Sequence, residues 1–170
     1  MNTMTSVAAG RWTVDGARTR AAFRARHLFG QTVHGTITVT EGTIEIGPDG
    51  QPQRFHATLD PASIGTGNAR RDADLRGRRF LAVDASPLME VAANQITATA
   101  DGWRADAVLR VRGGEVPLRV DATMESAGEH RLQISGSARL DLRAAGIRVP
   151  GFLVRRLVDV SVSAHVTRPA

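Results

Sequence analysis

Through most of this chain apolar and polar residues alternate with a period of two, as they do along strands that turn one face to a core and one to water. Trp12 and Val14 open the first such run. In the next, Ala21, Phe23, Ala25 and His27 share one face while Arg20, Arg24 and Arg26 occupy the other. Val33, Ile37 and Val39 oppose outward threonines, Ile44 and Ile46 continue that set, and Phe55, Ala57 and Leu59 alternate with His56, Thr58 and Asp60. The second half gives five more inward sets: Met89, Val91 and Ala93 leading to Ile96, Ala98 and Ala100; Trp103 to Val111; Val116 to Met124; Leu132 to Leu142; and Val158 to Val166. Pro48-Asp49-Gly50, Asp101-Gly102 and Gly113-Gly114 supply turn chemistry between runs. Many strands at short, regular spacing predict an all-β antiparallel sandwich or barrel of about eight strands.

The alternation breaks from Ala62 to Leu81, and Ala144 to Phe152, with Gly146, Pro150 and Gly151, reads as an irregular connection between the last two strands. Asn68 is placed to cap a short helix over residues 69–76, which Gly77 stops. Asp72 and Asp74 lie in the first half of this segment and Arg76, Arg78 and Arg79 at or beyond its end, the charge order that the helix dipole favours. Taken alone, it reads as a capped surface helix.

The inward positions are unusually small. Ala21, Ala25, Ala57, Ala105, Ala138 and Ala164, with Gly136, leave volume that larger side chains would have filled. An eight-stranded barrel either just fills with side chains or holds one small ligand, and this lining favours an apolar cavity. The 170 residues suit one domain, taken as 10–168, with residues 1–9 expected to be a disordered N-terminus. The absence of cysteine excludes disulfide and thiolate chemistry. Met1 to Gly10 lacks a basic segment followed by an apolar one, and no apolar run reaches the length of a membrane span, so a cytoplasmic location is expected. The net charge is +5 and all 22 basic residues are arginine, a uniformity that points to coding bias rather than selection site by site.

Ser63-Ile64, Thr66-Gly67-Asn68, Arg71-Asp72 and Leu75, followed by Phe80 and Pro87, resemble the central motif of the YceI-like family. Trp12 with Asp15, Phe23 with Arg26-His27-Leu28, Gly35, and Asp141 to Ile147 fall in that family's order, so the resemblance spans about Gly10 to Val166. It implies an extended antiparallel lipocalin-like β-barrel, a long apolar channel, an isoprenoid lipid or isoprenoid quinone as ligand, no metal or other cofactor, and frequently a homodimer.

The apolar channel is then expected to be lined by Phe23, Ala25, His27, Val39, Phe55, Ala57, Met89, Val91, Trp103, Ala105, Leu118, Val120, Ile134, Ala138, Val160 and Val162. His27, Arg71 and Arg76 are the candidates for meeting a polar head group, and Ser63, Thr66, Asn68, Arg71, Asp72 and Phe80 form the structural motif, with Arg71 and Asp72 expected to pair. His27 is equally readable as a core histidine bonded to backbone. The five histidines show no metal-ligand spacing, Ser63 has no nucleophile-elbow context, and no glycine-rich loop leads into a helix, so a catalytic role is not expected. Two other readings remain open: an arginine-rich surface module for nucleic acid or anionic lipid, and an enzyme of isoprenoid metabolism dependent on His27.

Overall fold

The computed structural model describes residues 7–26, 30–147 and 156–169. Nine strand segments form one antiparallel sheet: β1 (Gly10–Val14), β2 (Arg20–Arg26), β3 (Thr32–Ile46), β4 (Pro52–Gly65), β5 (Met89–Ala98), β6 (Trp103–Val111), β7 (Gly114–Ser126), β8 (Arg131–Asp141) and β9 (Leu157–Thr167), with α1 (Ala69–Arg76) between β4 and β5. From β4 to β9 each strand pairs with its neighbour, β9 pairs with β2, β2 with β3, and β3 returns to β4, which closes the barrel. β1 and β2 share a single place in the wall. β2 pairs with Thr32–Ile37 of β3, whereas β1 pairs with Thr43–Ile46 of the same strand and with the last residues of β9. The nine segments therefore make eight staves, one of them broken by the 3₁₀ turn Gly16–Arg18. Asp15 caps that turn and Thr19 bonds back to the Asp15 carbonyl at 2.7 Å. Closure pairs every strand on both sides over part of its length, while the β7–β8 ladder stops at Asp121–Ser137 and the β4–β5 ladder at Leu59–Met89.

Local irregularities follow from the sequence. The inward set of β5 changes parity between Ala93 and Ile96, and the β5–β6 register shifts at that point, so a bulge returns Ile96 to the interior. Ala98 and Ala100, expected inward, are exposed near the following turn. The turn between β6 and β7 is Arg112-Gly113 rather than Gly113-Gly114, with φ of 56° and 75°. Positive φ at both central positions matches the twist of a two-residue hairpin, and it costs strain at a non-glycine residue.

The interior is anchored at its two ends. At one, Trp12 (1 % exposed) packs with Ile44, Ile46, Leu132 and Val166, and its indole N–H donates to the Ala8 carbonyl at 3.0 Å. At the other, Ile64, Leu81, Ala145 and Ile147 join Met89, Leu109, Val111, Val116 and Leu118. No helix among the described residues is long and apolar enough to cross a membrane.

One close approach shapes the wall. Phe23 pairs with Gly35 across β2–β3, and a Cβ added to Gly35 would lie 2.1 Å from the Phe23 ring. The ring covers the glycine, filling space its missing side chain leaves. Gly35→Ala is predicted to force the ring toward the interior and to cost about 1–3 kcal/mol, read as a lower midpoint in urea unfolding with unchanged slope. An unchanged midpoint would show that the ring is free to move.

Candidate functional site

The small inward residues leave a cavity of about 590 Å³ running through the barrel. A volume of that size is large against about 30 Å³ for a water molecule and lies within the range of small-molecule sites. Its lining is almost wholly apolar and comes from every stave. Phe23, Ala25, Val39, Phe55, Ala57, Met89, Val91, Trp103, Ala105, Leu118, Val120, Ile134, Ala138, Val160 and Val162 all border it. Gly136 explains part of the space: it sits opposite Ala122 and Val162 in adjacent strands, and a Cβ there would lie 3.1 Å from the Val162 side chain.

One end is closed by the Trp12 cluster. The other is covered by α1 and the segment that follows it, which contribute Arg71, Asp74, Leu75, Phe80 and Leu81 to the lining. Asp74 borders the cavity and is exposed beside α1, and the exposed residues His56, Ser137 and Ser161 border it from the wall strands. Arg71 is half-buried at the same place, whereas half-buried Arg76 lies outside the lining. His27 lies outside the described residues. Asp74, Leu75 and Leu81 were not among the expected lining residues; Leu75 and Leu81, apolar positions within a strongly polar stretch, are the signal that could have found them.

α1 itself has no buried residue and is held by hydrogen bonds, whereas the segment after it buries Leu81 in the cluster with Ile64 and Ile147. Asn68 caps it, its side chain accepting from the Arg71 N–H at 3.0 Å, and Gly77 ends it in extended conformation, donating to the Asp74 carbonyl. The expected Arg71–Asp72 ion pair does not form. Both side chains instead converge on Thr66: the Asp72 carboxylate accepts from the Thr66 N–H at 2.9 Å and from its hydroxyl, while Arg71 donates from Nε to Thr66 Oγ1 at 2.8 Å and from Nη2 to the Thr66 carbonyl at 2.9 Å. A threonine hydroxyl both donates and accepts, so one residue can serve the two opposite charges. Ser63 acts one turn earlier, accepting from the Thr38 N–H at 2.8 Å at the β3–β4 register shift and donating to the Asp60 carbonyl.

Arg112 completes the attachment. From its strained turn the guanidinium donates to the carbonyls of Arg78, at 2.9 Å, and Phe80. The second non-glycine residue with positive φ, Ala82 at 47°, lies in the same cover. Strain held at two residues of one segment is maintained by the surrounding bonds. A further clamp sits where β8 ends. Asp141 accepts from Arg156 at 2.9 and 2.7 Å and from the Arg143 N–H at 3.0 Å, and its carboxyl is held below its ordinary value of 3.8, chiefly by the Arg156 hydrogen bond.

A second concavity, about 690 Å³, lies at the far end and is lined by Asp49, Gln51, Asn94, Gln95 and Trp103 among others. It is broad and half polar, and the Trp103 indole N–H is bonded to Gln51 at its edge. It lacks the enclosure that binding a small molecule requires. Among the described residues no three metal-ligating side chains cluster.

Two outcomes test the cover and the clamp. Arg112→Asn retains a residue that tolerates positive φ and removes the guanidinium. It is predicted to speed amide exchange over residues 78–83 by about tenfold or more, from loss of about 1.5–3 kcal/mol in bonds to a charged donor. Asp141, with its folded value lowered, contributes stability above pH 3.8 that is lost as the pH falls through the depressed value. The difference in Tm between the wild type and Asp141→Asn should therefore be present at neutral pH and vanish toward strong acid.

The comparisons with known proteins agree with this architecture. A family model described as a YceI-like domain matches residues 12–166. A protein of Pseudomonas syringae pv. syringae named UPF0312 protein is 26 % identical over 145 residues, 81 % of this chain and 75 % of its own length. A Serratia proteamaculans protein of the same name is 24 % identical over 131 residues, 74 % of this chain and 68 % of its own. Among solved structures, BcnA of Burkholderia cenocepacia superposes with a TM-score of 0.77 at 16 % identity, over 91 % of this chain and 99 % of its own. A polyisoprenoid binding domain from Saccharophagus degradans gives 0.72 at 11 % identity, over 93 % and 98 %. At such identity these likenesses speak for the fold, and the match over residues 12–166 decides the family: the chain belongs to the YceI-like family.

Proposed function

We propose that this protein binds an isoprenoid lipid, of polyprenyl or isoprenoid-quinone type, and sequesters or carries it with the tail inside the barrel. The observation that supports this most directly is the cavity of about 590 Å³ with an apolar lining and its charged side chains confined to one end. Each methylene buried contributes about 0.8 kcal/mol, so eight enclosed carbons give roughly 6 kcal/mol and longer tails more. Association costs of about 4–15 kcal/mol are offset only when a long tail is enclosed, which suits a through-barrel cavity and not a shallow groove. Arg71, with Asp74 beside it, is placed to meet the polar end. The Saccharophagus degradans neighbour, a polyisoprenoid binding domain by name, supports the same ligand class.

The arginine-rich wall gives little support to nucleic-acid binding. Arg24, Arg54, Arg104 and Arg110 each lie within 3.1 Å of a carboxylate, on Asp159, Glu45, Asp121 and Glu115 respectively. Cations neutralised across strands are poorly placed to release counterions from a phosphate backbone. An enzymatic role is likewise given no support by the lining, which among the described residues offers no paired acid and base within the apolar part of the cavity.

Solvent extraction and native mass spectrometry of the purified protein should recover an apolar ligand, and a fluorescent prenyl probe should bind the delipidated protein with little dependence on salt. Ala138→Phe, which fills the cavity, should weaken probe binding by at least tenfold while leaving the protein folded. Failure to extract a lipid together with failure to bind prenyl chains would overturn the reading.

A further inference from the structure

The two ends of the barrel differ in charge as well as in closure. The hairpin turns at the Trp12 end, residues 47–51, 99–102 and 127–130, carry Asp49, Asp101 and Glu129 and no arginine. The opposite end, where α1 borders the cavity, carries Arg26, Arg70, Arg78, Arg79 and Arg143, all exposed and none in a salt bridge among the described residues. The exposed carboxylates on the cover itself are Asp74 and Asp84. Most wall arginines have cross-strand carboxylate partners, and at the Trp12 end the exposed, unpaired Arg131 stands beside Asp49, Asp101 and Glu129, so the larger group of unpaired arginines among the described residues is the one at this rim.

Apolar exposure follows the same axis. Of the three large hydrophobic side chains that are strongly exposed among the described residues, Leu88 (54 %) precedes β5 and Leu157 (49 %) opens β9, both at this end. They lie on opposite sides of the barrel, since β5 and β9 are separated by three strands in the sheet order. A ring of unpaired arginines with an apolar side chain on either side of the mouth fits a flat, anionic surface with an apolar layer beneath it.

We propose that this rim docks on the surface of an anionic lipid bilayer, with Arg70, Arg78 and Arg79 against the phosphate groups and Leu88 and Leu157 at the acyl boundary. The identity of the cargo rests on the isoprenoid reading above; the docking does not. Docked in this way, the mouth beside α1 faces the bilayer, so that an apolar tail crosses between membrane and barrel without passing through water. Arginines near an anionic surface each contribute to affinity, and the attraction decays within a Debye length, so binding falls as salt is raised.

The test is co-sedimentation of the full chain with phosphatidylcholine vesicles, with and without phosphatidylglycerol, alongside prenyl-probe binding in solution. The expected result is binding that requires phosphatidylglycerol, falls with salt and weakens about fivefold per arginine replaced in Arg78→Ala and Arg79→Ala. Leu88→Asp should also weaken it, while Asp101→Asn at the far end should not. Arg78 and Arg79 make no side-chain hydrogen bond, so these variants are expected to fold and to bind the probe as the wild type does. Probe binding with no preference for phosphatidylglycerol vesicles would overturn the docking and leave the isoprenoid reading standing. Vesicle binding without probe binding would support the docking and overturn that reading. Equal loss of vesicle binding in the Asp101 variant, or binding of an oligonucleotide in preference to vesicles, would also overturn the proposal.

Discussion

An eight-stave barrel whose inward positions are short of side-chain volume must still be stable, and the constraint that permits this is closure. In a solid core, removing side chains leaves cavities whose cost rises with volume, because the walls are held apart only by what fills them. Here the wall is a continuous ring of antiparallel ladders from β2 through β9 and back to β3 and β4. Most of its backbone groups are paired within the ring, the ladders being interrupted between β7 and β8 beyond Asp121 and between β4 and β5 beyond Leu59. The interior can therefore be lined by Ala25, Ala57, Ala105, Ala138 and Gly136 without the wall collapsing. Apolar packing is concentrated at the two ends, in the Trp12 cluster and in the cluster around Leu81 and Ile147.

Those ends are built on different physics. Trp12, almost wholly buried, makes one end a packed plug, and opening it would expose a large aromatic surface. The cover at the other end has a helix with no buried residue and is fixed by a small set of polar contacts: Thr66 with Arg71 and Asp72, and Arg112 with the carbonyls of Arg78 and Phe80. Segments with few apolar contacts and many local hydrogen bonds occupy the low end of the stability range within a protein. Positive φ at Arg112 and Ala82 adds strain to the same region. The helix beside the mouth is thus held mainly by polar contacts, while the segment that follows it is anchored by Leu81 in the apolar cluster with Ile64 and Ile147.

The sequence made the wall legible because burial in a barrel follows a period of two. The inward sets of β2, β6, β7, β8 and β9 could be read directly, whereas the β5 bulge between Ala93 and Ile96 was not read and carried Ala98 and Ala100 into the expected inward set. The helix was legible from its cap, Asn68, and its stop, Gly77. What could not be read was everything that depends on where distant segments meet. Arg71 and Asp72 are adjacent opposite charges, and pairing them is the local expectation. The bend before α1 brings Thr66, five and six residues upstream, to both of them, and its hydroxyl donates to Asp72 and accepts from Arg71. Arg112 was hidden for a similar reason: with two glycines following it, the turn is more naturally placed at Gly113-Gly114, and a strained arginine is favoured only once the cover lies within reach of its guanidinium.

Composition was the least informative level, since 22 arginines say nothing about where unbalanced charge lies. The ladders decide that, by placing Arg24, Arg104 and Arg110 across from carboxylates and leaving the rim arginines without partners. The separation of a neutralised wall from a charged rim bears on exchange kinetics. For the proposed isoprenoid cargo, a tail with eight buried carbons, worth roughly 6 kcal/mol, would leave the barrel for water about ten-thousand-fold less readily than one with no such burial. Release into water would then be too slow to be useful for longer tails, and the alternative is release into another apolar phase in contact with the mouth. That route requires the opening, the least tightly held cover and the surface that attracts the receiving phase to coincide. In this barrel the lining residues of α1, the Arg112 turn and the proposed docking rim lie at one end, beside the start of β9.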